Sequence, residues 1–354
     1  MSRPAGPDAP AAFHIAGTAA ALPGPPVTNA DLGKVFGISE EWTDLFVGTR
    51  TRHFGWDLAT GEVLHTLTDL CAEAADRALA ASGFDGRDLD FLVLATTTPD
   101  TLLPTTANQV ADRLGLDHLP VYQLQAGCSG AVQALDLGRA LIASGHRAGL
   151  VVGGDVTARF LDPTRSAAAL PAQELVNYVL FGDGAGAAVV SAEPEGEAIG
   201  VHALLNRFTG QGRPPGQTID WEGPARRDPD RRMLHEDYKA IEEGVPAMAA
   251  EILWELLETT GWRPDEIGFL LPPQLSGRMT RRIVEDLALT GPREVSCVAD
   301  TGNTGNALPF VQLDRLVPEL GPGERALALV VESSKWIKAG LALQKCAPEK
   351  EDTR

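Results

Sequence analysis

Val121-Tyr122-Gln123-Leu124-Gln125-Ala126-Gly127-Cys128-Ser129-Gly130-Ala131 decides how this chain reads. The first five residues make a short strand, the next five a turn of small residues, and a helix starts near Ala131 and runs towards Gly145. Cys128 therefore stands at the corner where a strand becomes a helix. There the free N–H groups and the positive end of the helix favour thiolate over thiol, which is how a nucleophile is built. A lone cysteine in a glycine turn is also a small buried hydrophobe in many proteins. Small neighbours on both sides leave room for a substrate and favour the nucleophile.

With 354 residues the chain is long enough for two domains or two intimately packed halves. Its four cysteines (Cys71, Cys128, Cys297, Cys346) form no Cys-x-x-Cys pair, so neither a metal site nor a disulfide framework is expected, and a reducing, cytoplasmic setting follows. Met1 to Phe13 is rich in Ala and Pro, lacks an apolar core, and reads as a disordered lead-in rather than a signal peptide. No run approaches the roughly 18 apolar residues of a membrane span. A net charge of −18 and a pI near 4.8 argue against nucleic acid as a partner. Within this acidic whole, Arg278, Arg281 and Arg282 share one face of a helix expected over Ser276 to Leu289. Arg226-Arg227 and Arg231-Arg232, in a Pro- and Asp-rich segment, read as solvated surface.

Strands and helices alternate along the chain. Leu64 to Ala81 is a helix, Asp90 to Ala95 a buried strand, Thr106 to Leu114 a helix, then come the Cys128 strand and helix and a strand over Gly149 to Gly153. The second half repeats the plan: a helix over Tyr238 to Thr260, a strand over Ile267 to Leu271, a helix, a strand near Glu294 to Val298, a turn at Gly302 to Asn306 and a helix through Leu316. The expectation is an α/β layered fold of two pseudo-twofold-related halves, residues 1–195 and 196–354. The Cys128 turn and the Gly302-Asn303 turn then occupy equivalent places and face each other. Gly210 to Pro229, rich in Pro and Gly, reads as a loop or cap.

At this point the chain resembles the thiolase superfamily and, within it, the type III ketoacyl-acyl-carrier-protein synthases, over roughly Phe13 to Leu343. The residues that carry the resemblance are Asn29-Ala30-Asp31-Leu32 with Trp42 and Gly48-Thr49-Arg50-Thr51-Arg52, Ala95-Thr96-Thr97-Thr98-Pro99-Asp100, Gln125 to Gly130, Phe181-Gly182-Asp183-Gly184-Ala185-Gly186-Ala187, and Gly302-Asn303-Thr304 followed by Pro309. The resemblance implies the duplicated α-β-α-β-α thiolase-like fold. It also implies an acyl-enzyme on Cys128, with a His and an Asn, here Asn303, donating to the oxygen that gains charge when a malonyl group loses carbon dioxide.

Three departures from the pattern matter. The family histidine stands in Pro-His-Gln, and here Leu271-Pro272-Pro273-Gln274-Leu275 puts Pro273 in its place, with neither side-chain donor nor N–H. Loss of one such donor costs about 100- to 1,000-fold in rate. Near the C-terminus, Val331-Glu332-Ser333-Ser334-Lys335-Trp336 puts a bulky residue where the family has an oxyanion-hole glycine, so a reshaped pocket is expected. Trp42 matches a tryptophan that stacks on coenzyme A, or is an ordinary core aromatic; the family's neighbouring arginine is Phe46 here. Arg278 falls where the family has a basic residue that docks acidic carrier proteins, which keeps carrier protein as the donor.

The leading expectation is an acyltransferase that loads Cys128 from a carrier-protein phosphopantetheine or coenzyme A thioester, with no bound cofactor, and passes the acyl group to a small-molecule O, N or S acceptor in a specialised pathway. Asp300, His235 and Glu332 are candidate bases by neighbourhood in sequence. The alternatives are a decarboxylative condensing enzyme whose histidine is replaced from elsewhere, and an impaired partner subunit of a heteromer; retention of both Cys128 and Asn303 counts against the last. The family implies a homodimer in which Thr101-Leu102-Leu103-Pro104 closes the other subunit's pocket, Leu103 lining an apolar acyl channel; packing of that loop in its own core is the rival reading.

Overall fold

Thr66 caps the first long helix by accepting from Asp69 N while the Asp69 side chain accepts from Thr66 N, and Gly83, at φ 76°, ends it in the left-handed conformation. Between these stops, Leu67, Leu70, Cys71, Ala74, Ala75 and Ala78 form a small-residue face that lets the helix lie close on the strands beneath. The computed structural model describes residues 9–161, 170–220 and 234–347. Its first half contains β1 (Phe13–Ala21), β2 (Val27–Thr28), α1 (Asn29–Phe36), α2 (Glu40–Phe46), β3 (Thr51–Arg52), α3 (Leu67–Ser82), β4 (Leu92–Thr96), α4 (Thr106–Arg113), β5 (Val121–Gln125), α5 (Gly130–Ala143), β6 (Ala148–Asp155), α6 (Ala172–Leu180) and β7 (Gly184–Ser191). The second contains β8 (Ile199–Phe208), β9 (Gln217–Ile219), β10 (Leu234–Glu236), α7 (Tyr238–Thr260), β11 (Ile267–Leu271), α8 (Gly277–Leu287), β12 (Arg293–Glu294), α9 (Val298–Thr301), α10 (Leu308–Leu316), β13 (Arg325–Glu332) and β14 (Ile337–Lys345).

Ten strands join in the order β12-β11-β13-β14-β8-β1-β7-β6-β4-β5. Counted outward from the central β8–β1 pair, β7, β6, β4 and β5 have β14, β13, β11 and β12 as counterparts. Each pairing in one half matches its counterpart in sense: antiparallel for β1–β7 and β8–β14, antiparallel for β6–β7 and β13–β14, parallel beyond. Within the ten-stranded sheet the halves join through Phe13–Ile15 against Ile199–Val201, a three-residue seam. Around that seam the apolar side chains divide into layers. One core packs α3 and α4 on the first-half strands, a second packs α7 and α8 on the second-half strands, and a third buries α5 and α10 between the two sets. This is the duplicated α-β-α-β-α arrangement that the sequence leads one to expect.

The strand expected near Glu294 to Val298 is different. Only Arg293–Glu294 pairs, and the chain then turns into α9, because Gln274 Oε1 accepts from the backbone N–H groups of Cys297 (2.8 Å) and Val298 (2.9 Å) and draws the segment out of the sheet. Part of the expected cap is a two-stranded ribbon, β9 against β10, leading into α7. Met1 to Asp8, the rest of that cap beyond Asp220, and the arginines at 226, 227, 231 and 232 lie outside the described residues. Among the described residues no helix is long and apolar enough to cross a membrane.

Asp183, just before β7, has no solvent exposure and accepts from Gly55 N (2.8 Å) and Ala158 N (3.0 Å). Burial outweighs these bonds and pushes its carboxyl up to about 6 from the ordinary 3.8. The folded state thus prefers the neutral acid, so this group's contribution is full below pH 4 and is lost as pH rises through about 6. In urea titrations, the stability of the wild type relative to Asp183→Asn falls by about 2 kcal/mol between pH 4 and 7. A pH-independent difference refutes the assignment.

Candidate active site

The Cys128 turn is built against a carboxylate. Ser129 N (3.2 Å) and Ser129 Oγ (2.5 Å) both donate to Glu332 Oε2, while Ser334 Oγ donates to Glu332 Oε1. Glu332, the last residue of β13, is only 5% exposed and lies directly under Gly127, where an added Cβ would stand 2.8 Å from the carboxyl carbon. A glycine is needed there for the turn to sit on this support. Cys128 itself is half-buried and faces a cavity of about 360 Å³.

Across the cavity stands the asparagine turn of the second half. Asn303 is buried, with Oδ1 accepting from Gly305 N (3.0 Å), and its side chain lines the cavity together with Cys128. Three residues on, Asn306 Nδ2 donates to Ala126 O (3.0 Å), so the second half holds the backbone two residues before the cysteine. Pro273 lines the same cavity, following β11 as the sequence leads one to expect, and its carbonyl accepts from Thr280 Oγ1 (3.0 Å). All seven histidines lie within the described residues, and none lines the cavity. Nothing has moved an imidazole into the place Pro273 occupies.

One expectation about Cys128 is overturned. Burial first, then the charges of Glu332, Asp155 and Glu236, push its thiol up to about 12. The start of α5 does not compensate for three carboxylates in an apolar surround, so the resting group is a thiol. Activation needs a base.

Trp42 and Arg278 line the cavity beside the half-exposed Phe46, Trp42 packing on Phe46 with ring centroids 5.9 Å apart. Leu103 does not line the cavity of its own chain; it is 83% exposed and Leu102 is 63% exposed, which excludes packing of that loop in its own core. Trp336 does not reshape the pocket by filling it. It adopts a left-handed φ of 65°, buries its ring against Gly216 and Gly244, donates from Nε1 to Pro214 O (2.7 Å), and carries Arg213 at 4.0 Å over its face. Ser333 lines the cavity instead. Among the candidate bases, Asp300 is ion-paired with Arg50, His235 is exposed, and Glu332 is the support beneath the turn; none of the three lines the cavity.

The carboxylate that does face the cavity is Glu236, one position beyond His235. In β10 successive side chains point to opposite faces, so the neighbour of an exposed residue is the one turned inward. Tyr238, the first residue of α7, donates to Glu236 Oε2, and Gln217 Nε2 donates to Oε1 at 2.7 Å. Burial raises the Glu236 carboxyl above its ordinary range.

A cysteine at a strand-to-helix corner facing an asparagine turn across a pseudo-twofold axis defines a thiolase-fold enzyme of acyl thioesters. The family description 3-oxoacyl-[acyl-carrier-protein] synthase III matches residues 122–205, and that of its C-terminal domain matches residues 257–332. The chain is 34% identical over 328 residues to beta-ketoacyl-[acyl-carrier-protein] synthase III 3 of Streptomyces coelicolor, covering 88% of this chain and 91% of that one. It belongs to the ketoacyl synthase III family. Among solved structures it is similar to AbyA1, described as a tetronic acid condensing enzyme (53% identity, 94% and 99% of the two chains, TM-score 0.91). It is also similar to the priming β-ketosynthase of the R1128 polyketide biosynthetic pathway (25% identity, 98% and 99%, TM-score 0.80).

A thiol held near 12 stays mostly protonated through neutral pH, so iodoacetamide labelling of Cys128, followed by peptide mapping, rises about tenfold per pH unit between 7 and 9. Glu332→Gln removes the largest of the charges acting on the thiol and speeds labelling at pH 8 about three- to tenfold. A labelling plateau below pH 9 in the wild type contradicts the thiol assignment.

Proposed function

We propose that this enzyme captures an acyl group from a carrier-protein or coenzyme A thioester on Cys128 and passes it to an O, N or S acceptor in a specialised pathway. The observation that carries the reading is Pro273 on the same cavity as Cys128. The site keeps a nucleophile and the Asn303 amide, which thioester exchange can use, and has Pro273 instead of the imidazole donor that serves a decarboxylating malonyl group in the family. The likeness to AbyA1 favours oxygen among the acceptors. A tetronic acid ring contains one ester C–O bond and one C–C bond to an acyl carbon, and a carbon nucleophile flanked by two carbonyls makes the latter without losing carbon dioxide. Carbon–carbon condensation of that kind is the second reading, supported by Asn303 as the remaining donor to an enolate oxygen.

Trp42, Phe46 and Arg278 at the cavity are read as the contact for the incoming thioester. Exposed Arg278 and Arg281, which make no ion pair among the described residues, favour an acidic carrier protein as the donor. The boundary between the halves is placed at 195/196, between β7 and β8. Four unpaired cysteines suit a reducing cytoplasm.

Incubating intact protein with a panel of acyl-carrier and acyl-coenzyme A thioesters adds one acyl mass, mapping to Cys128 and absent from Cys128→Ala, while carbon dioxide release from malonyl thioesters is at least about 100-fold below that of a histidine-containing family member. Absence of any adduct sinks acyl capture, and brisk release restores decarboxylative condensation.

Tyr122 on the edge strand β5 is 39% exposed and the Leu102–Leu103 loop is exposed too, an unpaired edge and an apolar tip that favour a homodimer with Leu103 entering the other subunit's cavity. Light scattering then gives twice the 37.5 kDa chain mass. Leu103→Asp slows loading of long acyl groups more than loading of acetyl; equal effects contradict this role.

A further inference from the structure

The acyl-capture reading leaves a chemical gap: Cys128 is a thiol at rest, and neither a histidine nor Asp300 nor Glu332 lines its cavity. Among the described residues, the carboxylates on the cavity are Glu236 and Glu242, and Glu242 is exposed. Asp155 is buried but accepts from four residues and does not line the cavity.

We propose that Glu236 is the general base of this site, taking the proton of Cys128 during loading and that of the acceptor during discharge. The proposal rests on acyl capture at Cys128. Three features of the geometry support it. Glu236, Cys128, Pro273 and Asn303 line one cavity, so all four face the space that a substrate enters. The carboxylate is held from both oxygens, by Gln217 Nε2 at 2.7 Å and by the Tyr238 hydroxyl, which fixes its orientation. The Tyr238 hydroxyl carries one proton for two acceptors, Glu236 and Asn177 Oδ1 at 2.5 Å. It can point to Glu236 when that group is ionised and to Asn177 when Glu236 holds the proton, so both protonation states keep a satisfied neighbour. A base that must be charged and neutral within one cycle needs such a partner. Burial shifts the carboxyl upward, towards the working pH, where a general base is most effective.

The proton balance closes without a further reactant. In loading, the Cys128 proton passes to Glu236, Sγ bonds to the acyl carbon, the donor's C–S bond breaks, and the departing thiolate takes the proton from Glu236. In discharge, an acceptor hydroxyl gives its proton to Glu236, its oxygen bonds to the acyl carbon, the bond to Sγ breaks, and Sγ recovers the proton. The titratable and charged groups that share the cavity with Glu236 are Cys128 on the turn after β5, Tyr238 and Glu242 on α7, and Arg278 on α8.

The test is transfer of an octanoyl group from octanoyl-pantetheine to N-acetylcysteamine, which passes through Cys128 in both directions and needs no natural acceptor. The Cys128 adduct is followed by intact mass and the product by chromatography, from pH 5 to 9. In Glu236→Gln, loading and product formation fall about 100-fold or more and the wild-type pH inflection disappears. In Tyr238→Phe, the inflection moves upward, because a donor to the ionised carboxylate is gone. Rates within threefold of wild type and an unchanged pH profile in Glu236→Gln overturn the proposal, as does an unmoved inflection in Tyr238→Phe, which decides the matter should the first variant not fold. No adduct on wild-type Cys128 sinks acyl capture and this role with it. A wild-type adduct with both variants unaffected sinks the role of Glu236 alone.

Discussion

Asp155, at the end of β6 and with no solvent exposure, fixes the site in place. Its Oδ1 accepts from Thr96 Oγ1 (3.0 Å), Thr97 N and Oγ1 (both 2.7 Å) and Thr98 Oγ1 (3.1 Å), and its Oδ2 accepts from Asn306 N (2.8 Å) and Nδ2 (2.9 Å). Burying a carboxylate without partners costs several kcal/mol, and charge-assisted bonds worth about 1.5–3 kcal/mol each offset that cost. The first four bonds gather the loop after β4, and the last two come from the other half of the molecule. Asn306 then reaches on to Ala126 O. One carboxylate thereby sets the distance between the cysteine turn and the asparagine turn, which a three-residue seam between β1 and β8 could not do alone. The same closeness requires glycine at position 305, where φ is 55° and a Cβ would stand 2.2 Å from Asp155 Oδ2.

Periodicity and punctuation made the outer framework legible. Tyr238–Thr260 and Ile267–Leu271 have the limits their apolar spacing implies, because Gly261 at φ 70° and the Arg263-Pro264 turn end and restart the chain by local chemistry. The strand expected to run to Val298 failed because a distant side chain, Gln274, took two of its N–H groups. No window of local sequence carries that information. At the site, Cys128, Asn303 and Pro273 were legible from their turns. Glu236 was not, although the alternation of Leu234-His235-Glu236 held the signal. A histidine attracts attention as a base, yet the strand turns it to solvent and its acidic neighbour inward.

The protonation of Cys128 illustrates a different limit. A helix terminus contributes about half a charge, and its effect is visible in sequence because the terminus is local. Glu332, Asp155 and Glu236 come from β13, β6 and β10, and they act together only after folding. Burial of the thiol, together with the three carboxylates around it, outweighs the helix end, and the turn that looked built to make a thiolate holds a thiol. Glu332 also seats the turn: it bonds Ser129 through both N–H and hydroxyl, so the carboxylate that disfavours thiolate also holds the residue after the cysteine.

These two properties fit together in the chemistry. A decarboxylating condensation generates an enolate and is served by two neutral or cationic donors at one oxygen; a cavity without an imidazole and with carboxylates nearby is less suited to that developing charge. Acyl exchange asks for something else. Each half-reaction begins and ends with a neutral thiol or hydroxyl, so what limits it is where a proton rests while one acyl bond replaces another. A buried carboxylate with raised affinity for protons suits that task better than an imidazolium would, because in its resting form it accepts a proton rather than donating one. Under the acyl-capture proposal, Pro273 in the family histidine's place and Glu236 on the same cavity serve one task, moving a proton rather than stabilising a carbanion.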